Sequence, residues 1–299
     1  MSESEYSSLN QSNYHSHQSP KVMLVILDGL NLQTAMHAMG YLHALCANSA
    51  DNPKATQASF HSLVSELPSL SRPLYETLLT GKKPIESGII HNDISRLSNQ
   101  ISLFHLAKRA GLTTGAAAYH WISELYNKTP FDPLTDRVTH DLDMVIEHGL
   151  FYSADHYPDD HLFYDAHAII TEYQPNFMLV HSMNIDDSGH RFGSESPEYR
   201  NAARRTDGFL SLVLPKWIEM GYQIMVTSDH GMNRDHSHGG RLKEEREVPL
   251  FLIGSQFNHH AECQIAQTQI AGTLASLLRL DHNKTICREM LLETTGVQG

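Results

Sequence analysis

Three apolar runs in this sequence each end in carboxylates or histidines. Val22–Leu27 leads into Asp28-Gly29, and residues 176–181 lead into Asn184-Ile-Asp-Asp-Ser-Gly-His190. Residues 222–228 lead into Asp229-His230-Gly231-Met232, followed by Asp235-His-Ser-His-Gly-Gly240. One acid just past a strand is commonly a helix cap. Carboxylates gathered past three strands of one sheet would repel each other and lose hydration, a cost that divalent cations relieve. Asp186 and His190 lie four apart, so one helical turn puts both on one side. Asp229 and His230 are adjacent, which works where a chain turns at a strand end. His238 precedes two glycines that let the backbone approach an ion; His236 competes for the same role. Mixed carboxylate and imidazole ligands suit zinc or manganese.

A nucleophile comes from the stretch Pro68-Ser-Leu-Ser-Arg-Pro-Leu-Tyr75. Pro73 suits an early helical position, and the hydroxyl of Ser71 stands just before that helix. Free N–H groups at a helix start can donate to a phosphoryl oxygen. Ser71 reads as a nucleophile or as a helix cap, with Ser69 and Thr77 as nearby alternatives. The Asn92 amide is a possible donor to substrate and otherwise a turn residue. His91 and His120 read as surface or core histidines, and Asp187 as a neighbour of the ligands or a solvated acid. The run Glu244, Glu245 and Glu247 is expected to face solvent.

These groups need a scaffold. Val22–Leu27 is a continuous apolar run suited to a strand buried on both faces, and residues 115–119, 176–181, 222–228 and 248–253 look similar. Helical patterns over 197–220 and 265–280 alternate with them. The expected fold class is α/β: a mostly parallel central sheet sandwiched by helices, with ligands beyond the carboxyl ends of the strands. Residues 1–20, with seven serines and no apolar run, read as a disordered tail, and 21–299 as one domain. The stretch 127–165, rich in Asp, His, Pro and Tyr, reads as a small cap-like insertion.

Composition narrows the partners. Among 299 residues, 22 basic against 34 acidic side chains give a net charge of −12, and no basic cluster appears, so a nucleic-acid polymer is an unsuitable partner. The longest aliphatic run is far shorter than the roughly 20 residues a membrane helix needs. Cys46, Cys263 and Cys287 are far apart in sequence with no CxxC spacing, which predicts a reducing compartment without a disulfide framework. Without an apolar leader, a cytoplasmic location is expected. Histidine is unusually abundant, at 21 residues.

Taken in order, Asp28, the hydroxyl before a helix, Thr80-Gly81, Gly88 to Asn92, Asp186-x-x-Gly-His190, Ser228-Asp-His-Gly-Met232 and His238-Gly resemble the alkaline phosphatase superfamily. The type I phosphodiesterase/nucleotide pyrophosphatase branch fits best, over about residues 21–280. The resemblance implies two divalent metal ions, zinc first and manganese as the alternative. Asp28, Asp229, His230 and the Ser71 oxygen would hold one; Asp186, His190 and His238 would hold the other. Asn92 and the backbone N–H of Arg72 would contact a phosphoryl oxygen. The implied activity is hydrolysis of phosphoryl esters through a phosphoserine, on a small phosphorylated substrate such as a nucleotide, by a protein that could form a homo-oligomer. A phosphomonoesterase, a phosphonate hydrolase and a non-catalytic metal-binding relative are the alternatives. The branch usually carries threonine where Ser71 stands and often an apolar residue at Arg72. A cation there would favour a second anionic group on the substrate. The sulfatase pattern C/S-x-P-x-R fails at Tyr75.

Overall fold

In the computed structural model, residues 19–52 and 54–292 are described. The tail expected over 1–20 therefore lies outside the described residues except for its last two positions. Nine strands form one sheet: β1 (Val22–Leu27), β2 (Ala58–Val64), β3 (Thr114–Tyr119), β4 (Val138–His140), β5 (His148–Tyr152), β6 (Phe177–Ser182), β7 (Gln223–Thr227), β8 (Glu247–Ile253) and β9 (Ile265–Ala266). Their order is β4-β5-β3-β6-β1-β7-β8-β2-β9.

The central strands are parallel and buried along their whole length, as their apolar runs require. Helices cover both faces, so alternate residues of β1 feed two cores. Val22, Leu24 and Ile26 pack with Tyr75, Leu78 and Phe104 on one side, and Met23, Val25 and Leu27 with Tyr199, Leu210 and Trp217 on the other. Ile26 lies opposite His181 on β6 and opposite Thr227 on β7. The carboxyl ends of β6, β1 and β7 are thus side by side, and everything that follows depends on that adjacency.

Five expected strands are present, with their ends shifted by at most one residue. β2 and β9 lie outside those expectations. β2 is half-buried, with His61 and two serines diluting its apolar pattern, and it is held by antiparallel pairing to β8. The long helix is Pro197–Glu219, capped by Ser196, whose Oγ accepts the Tyr199 N–H at 3.1 Å. The second expected helix is shorter than its pattern: residues 265–269 form β9 and a 3₁₀ turn before the helix Ile270–Leu277.

The cap expected over 127–165 takes another form. Its middle supplies β4 and β5, which extend the sheet at one edge, and its end begins the helix Asp159–Tyr173. Short strands rich in His and Gly carry too little apolar periodicity to be read from sequence. No helix among the described residues is long and apolar enough to cross a membrane.

Candidate metal centre

Asp28 leaves β1 fully buried, and Asp229 and His230 leave β7 fully buried. Asp186 and His190 occupy consecutive turns of the helix Asn184–Phe192, which starts just after β6. His238 comes from the loop after β7, and Ser71 opens the helix Ser71–Thr80. These seven residues converge. His230 Nε2 is 3.5 Å from Asp28 Oδ1, 3.3 Å from Asp229 Oδ2 and 2.9 Å from Ser71 Oγ. His190 Nε2 is 3.4 Å from Asp186 Oδ2 and 3.1 Å from His238 Nε2, which is 3.8 Å from Asp186 Oδ1. The rings of His230 and His238 stack at 3.7 Å, joining the two groups.

The backbone settles the histidine tautomers. His230 Nδ1 lies 2.9 Å from the Gly231 carbonyl, His238 Nδ1 2.8 Å from the Ser69 carbonyl, and His190 Nδ1 3.0 Å from the His236 carbonyl. A carbonyl can only accept, so each Nδ1 carries a proton, and in the neutral ring this leaves the Nε2 lone pair turned inward. In their neutral forms His190 and His238 oppose two lone pairs across 3.1 Å. Asp28 Oδ1, Asp186 Oδ1 and Asp229 Oδ2 are likewise buried with no hydrogen-bond donor. Converging acceptors with no donors among them are the signature of a cation site. The donor set fits divalent metal: Asp28, Asp229 and His230 form one compact group, and Asp186, His230 and His238 another.

Protons feel the same crowding. Burial, reinforced by Asp229, pushes the Asp28 carboxyl up to about 8; burial and Asp186 push Asp229 to about 8. Burial and Asp28 push Asp186 up to about 7. Burial drives His238 and His181 down to about 3, and lowers His230. In metal-free protein the two sets oppose each other between about pH 4 and 6.5, where the carboxylates favour the folded state at lower pH and the histidines at higher pH. Above 6.5 unfolded histidines are already neutral, so only the carboxylates act. The folded state there binds more protons than the unfolded one, and stability must fall as pH rises towards 8. Melting of chelator-treated protein at pH 6.5 and 8 should show this decline, and added zinc should abolish it. A flat profile would mean that the carboxylates are not forced together.

Asp28 is held by residues that sequence inspection missed. His181, fully buried on β6, lies with Nε2 3.0 Å from Asp28 Oδ2, and the Tyr75 hydroxyl donates to the same oxygen. The Tyr119 N–H points at His181 Nδ1 from 3.4 Å, so Nδ1 accepts and Nε2–H donates to Asp28. With Oδ2 occupied twice, Oδ1 is the oxygen left for a cation. The available signal was an imidazole ending an otherwise apolar run. Replacing His181 by Phe should weaken zinc affinity by roughly 10–100-fold, and His181→Gln, which keeps an N–H donor, should recover most of it. Chelator competition would read both; equal affinities would deny His181 this role.

Gly29 shows how tightly the loops meet. Its φ is +71°, and a Cβ there would sit 2.7 Å from Asp186 Oδ1. Ser69 Oγ is spent on the Gly240 carbonyl and Thr77 Oγ1 on the Pro73 carbonyl, which leaves Ser71 as the hydroxyl of that stretch facing the cluster. Asn92 Oδ1 accepts the Arg72 N–H at 3.1 Å, bringing Asn92 over the helix start. Arg72 itself is buried. Its guanidinium bonds Glu124 Oε2 at 2.6 Å and the Ile94 carbonyl at 3.1 Å, and stacks on Trp121 at 4.6 Å.

Other candidates stand apart. His236 is exposed, with its Nδ1 bonded to the His190 carbonyl rather than turned into the cluster. His91 is exposed beside Asp93, and Asp187 pairs with Arg191 at 3.1 Å. The acidic run at 244–247 corrects an expectation: Glu245 is buried, accepting from Asn233 Nδ2 at 2.7 Å, while its carbonyl accepts the Gly231 N–H. An acid inside a charged run does not advertise that the loop before it will need an internal acceptor.

Residues 22–239 match the family model for type I phosphodiesterase / nucleotide pyrophosphatase, a span that includes every candidate ligand. The chain belongs to the type I phosphodiesterase/nucleotide pyrophosphatase family. Among curated proteins it is similar to GPI ethanolamine phosphate transferase 3 of Saccharomyces cerevisiae, with 24% identity over 253 residues, covering 79% of this chain and 23% of that protein. It is also similar to human ectonucleotide pyrophosphatase/phosphodiesterase family member 7, with 24% identity over 207 residues, 62% of this chain and 43% of that protein. The chain thus spans less than half the length of these relatives. The solved structure of murine ectonucleotide pyrophosphatase/phosphodiesterase 5 shares the fold, with a TM-score of 0.67 at 15% identity over 89% of this chain and 97% of the other; an inactive variant of it was solved in complex with AMP.

Proposed function

We propose that this protein is a two-metal phosphoryl-ester hydrolase that cleaves nucleotide-like phosphodiesters or pyrophosphates through a phosphoserine at Ser71. The observation that carries this reading is the convergence of inward Nε2 lone pairs and donor-free carboxylate oxygens around the Ser71 hydroxyl. Asp28, Asp229, His230 and Ser71 would hold one cation, and Asp186, His190 and His238 the other. Zinc is the better match to this mixed carboxylate and imidazole set and manganese the second. When bound, the cations supply the positive charge that makes the serine oxygen nucleophilic and accommodates an anionic phosphoryl group.

The chain's own residues do the rest. Ser71 Oγ forms the bond to phosphorus while the ester oxygen on the far side leaves, and water then cleaves the phosphoserine. The Asn92 side chain, held over the start of the helix Ser71–Thr80 by the Arg72 N–H that its Oδ1 accepts, has its Nδ2 donor left to orient a phosphoryl oxygen. The buried Arg72 guanidinium, held by Glu124, fixes the helix start and is a positioning group in this reading. Arg72→Ala should lower activity on nitrophenyl phosphate and bis-nitrophenyl phosphate alike. A change in the ratio of the two would instead put the guanidinium on the substrate.

Similarity to GPI ethanolamine phosphate transferases favours a second reading, in which an alcohol rather than water receives the phosphoryl group from Ser71. The deciding experiment incubates zinc-loaded protein with nucleotides, dinucleotides and nitrophenyl esters, with and without added alcohols. Nucleoside monophosphate release without an alcohol supports the hydrolase; products seen only with an alcohol support the transferase. No turnover on any of them would remove both.

A further inference from the structure

Cys263 and Cys287, far apart in the sequence, come together at the opposite end of the chain from the first metal ligand. Their Sγ atoms lie 3.5 Å apart, and Cys287 Sγ is 3.4 Å from Glu289 Oε2. Cys287 is buried and Cys263 half-buried. The segments carrying them are already tied. Asn258 N–H donates to the Met290 carbonyl at 2.7 Å, its side-chain amide donates to the Glu289 carbonyl at 2.8 Å, and Phe257 bridges Leu291. Cys287 N–H donates to Thr273 Oγ1 at 3.1 Å, anchoring it to the helix Ile270–Leu277. A disulfide needs its sulfurs about 2.05 Å apart, roughly 1.5 Å closer than the 3.5 Å at which they stand.

We propose that Cys263 and Cys287 are a dithiol that closes reversibly to a disulfide in exchange with a low-molecular-weight disulfide such as glutathione disulfide. The Cys263 thiolate attacks one sulfur of glutathione disulfide, breaking its S–S bond and releasing one glutathione thiol, which takes up the Cys263 proton. Cys287 then gives its proton towards Glu289 and attacks the Cys263 sulfur of the mixed disulfide. The protein S–S bond forms, and the second glutathione leaves and takes up from Glu289 the proton that Cys287 gave, departing as its thiol. Two electrons pass from the protein sulfurs to the glutathione pair, and nothing else is consumed.

The loop this bond closes matters to the metal centre. It contains Gln267, whose Nε2 donates to the Asp229 carbonyl at 2.7 Å and whose Oε1 accepts the Glu66 N–H at 2.9 Å. It also contains Lys284, which donates to the Thr80 carbonyl at 2.6 Å, at the far end of the nucleophile helix. Closure shortens the unfolded chain's freedom over this loop and so stabilises the brace behind Asp229.

The full chain, zinc-loaded, is equilibrated in glutathione buffers from fully reducing to fully oxidising, then quenched and alkylated. Three labelled thiols in reducing buffer and one, at Cys46, in oxidising buffer are expected, with a 263–287 cross-linked peptide on digestion. The oxidised form should melt roughly 5 °C higher or more, and Cys263→Ser, at the more exposed position, should keep the fold but lose the redox dependence. Three alkylatable thiols at every poise, or glutathione retained on a single cysteine, would overturn the proposal. So would zinc held by the pair: thiol labelling blocked until a chelator is added would assign the cluster to a metal.

Discussion

Ser71→Ala should lower turnover by at least about 10³-fold, roughly 4 kcal/mol of barrier, while leaving metal binding close to that of the unaltered protein. The geometry separates the two properties. Ser71 Oγ sits against His230, yet three of the other proposed ligands are fixed by groups that do not include Ser71: His230 by Gly231, His238 by Ser69 and Asp28 by Tyr75 and His181. Removing one oxygen from the start of a buried helix leaves that scaffold in place. Single-turnover assays with zinc-loaded variant and elemental analysis of the same sample read the two effects together. Retained turnover would move the nucleophile elsewhere, and Ser71→Thr, which keeps a hydroxyl there, should retain activity.

Asp186→Asn should be nearly as damaging, for a different reason. Asp186 is the one carboxylate between His190 and His238, at 3.4 and 3.8 Å from their Nε2 atoms. Without its charge those two lone pairs face each other with a neutral amide and hold a dication poorly. The variant should retain about one metal per chain and lose turnover by several orders of magnitude, and His190→Ala should lower metal content as well. Because Asp186 is buried and its carboxyl already pushed up to about 7, the neutral amide should not unfold the protein. Two metals per chain in both variants would dismiss this ligand assignment.

Much of this centre was legible in the sequence because it obeys local rules. An apolar run long enough to be a central strand, ended by Asp28 or by Asp229-His230, states both the element and the group it presents. The i, i+4 spacing of Asp186 and His190 does the same for a helix. What was not legible depends on pairing between distant segments. His181 becomes a partner of Asp28 only because β6 and β1 are parallel neighbours in a register that puts Ile26 beside it. Tyr75 reaches the same carboxylate across the helix–sheet interface. Arg72 reads as a cation for the substrate until Glu124 and Trp121, on the short helix Trp121–Tyr126 after β3, bury and pair it. The strands β4 and β5, and the meeting of Cys263 with Cys287, were hidden for the same reason.

The claim on which the rest stands is that seven side chains enclose a pair of dications. Metal removed with a chelator and restored with zinc, followed by gel filtration and elemental analysis, measures this directly. The account predicts about two tightly held zinc ions per chain, with hydrolysis lost on removal and regained on restoration. Turnover that persists in metal-free protein, or a chain that retains no zinc, would contradict it.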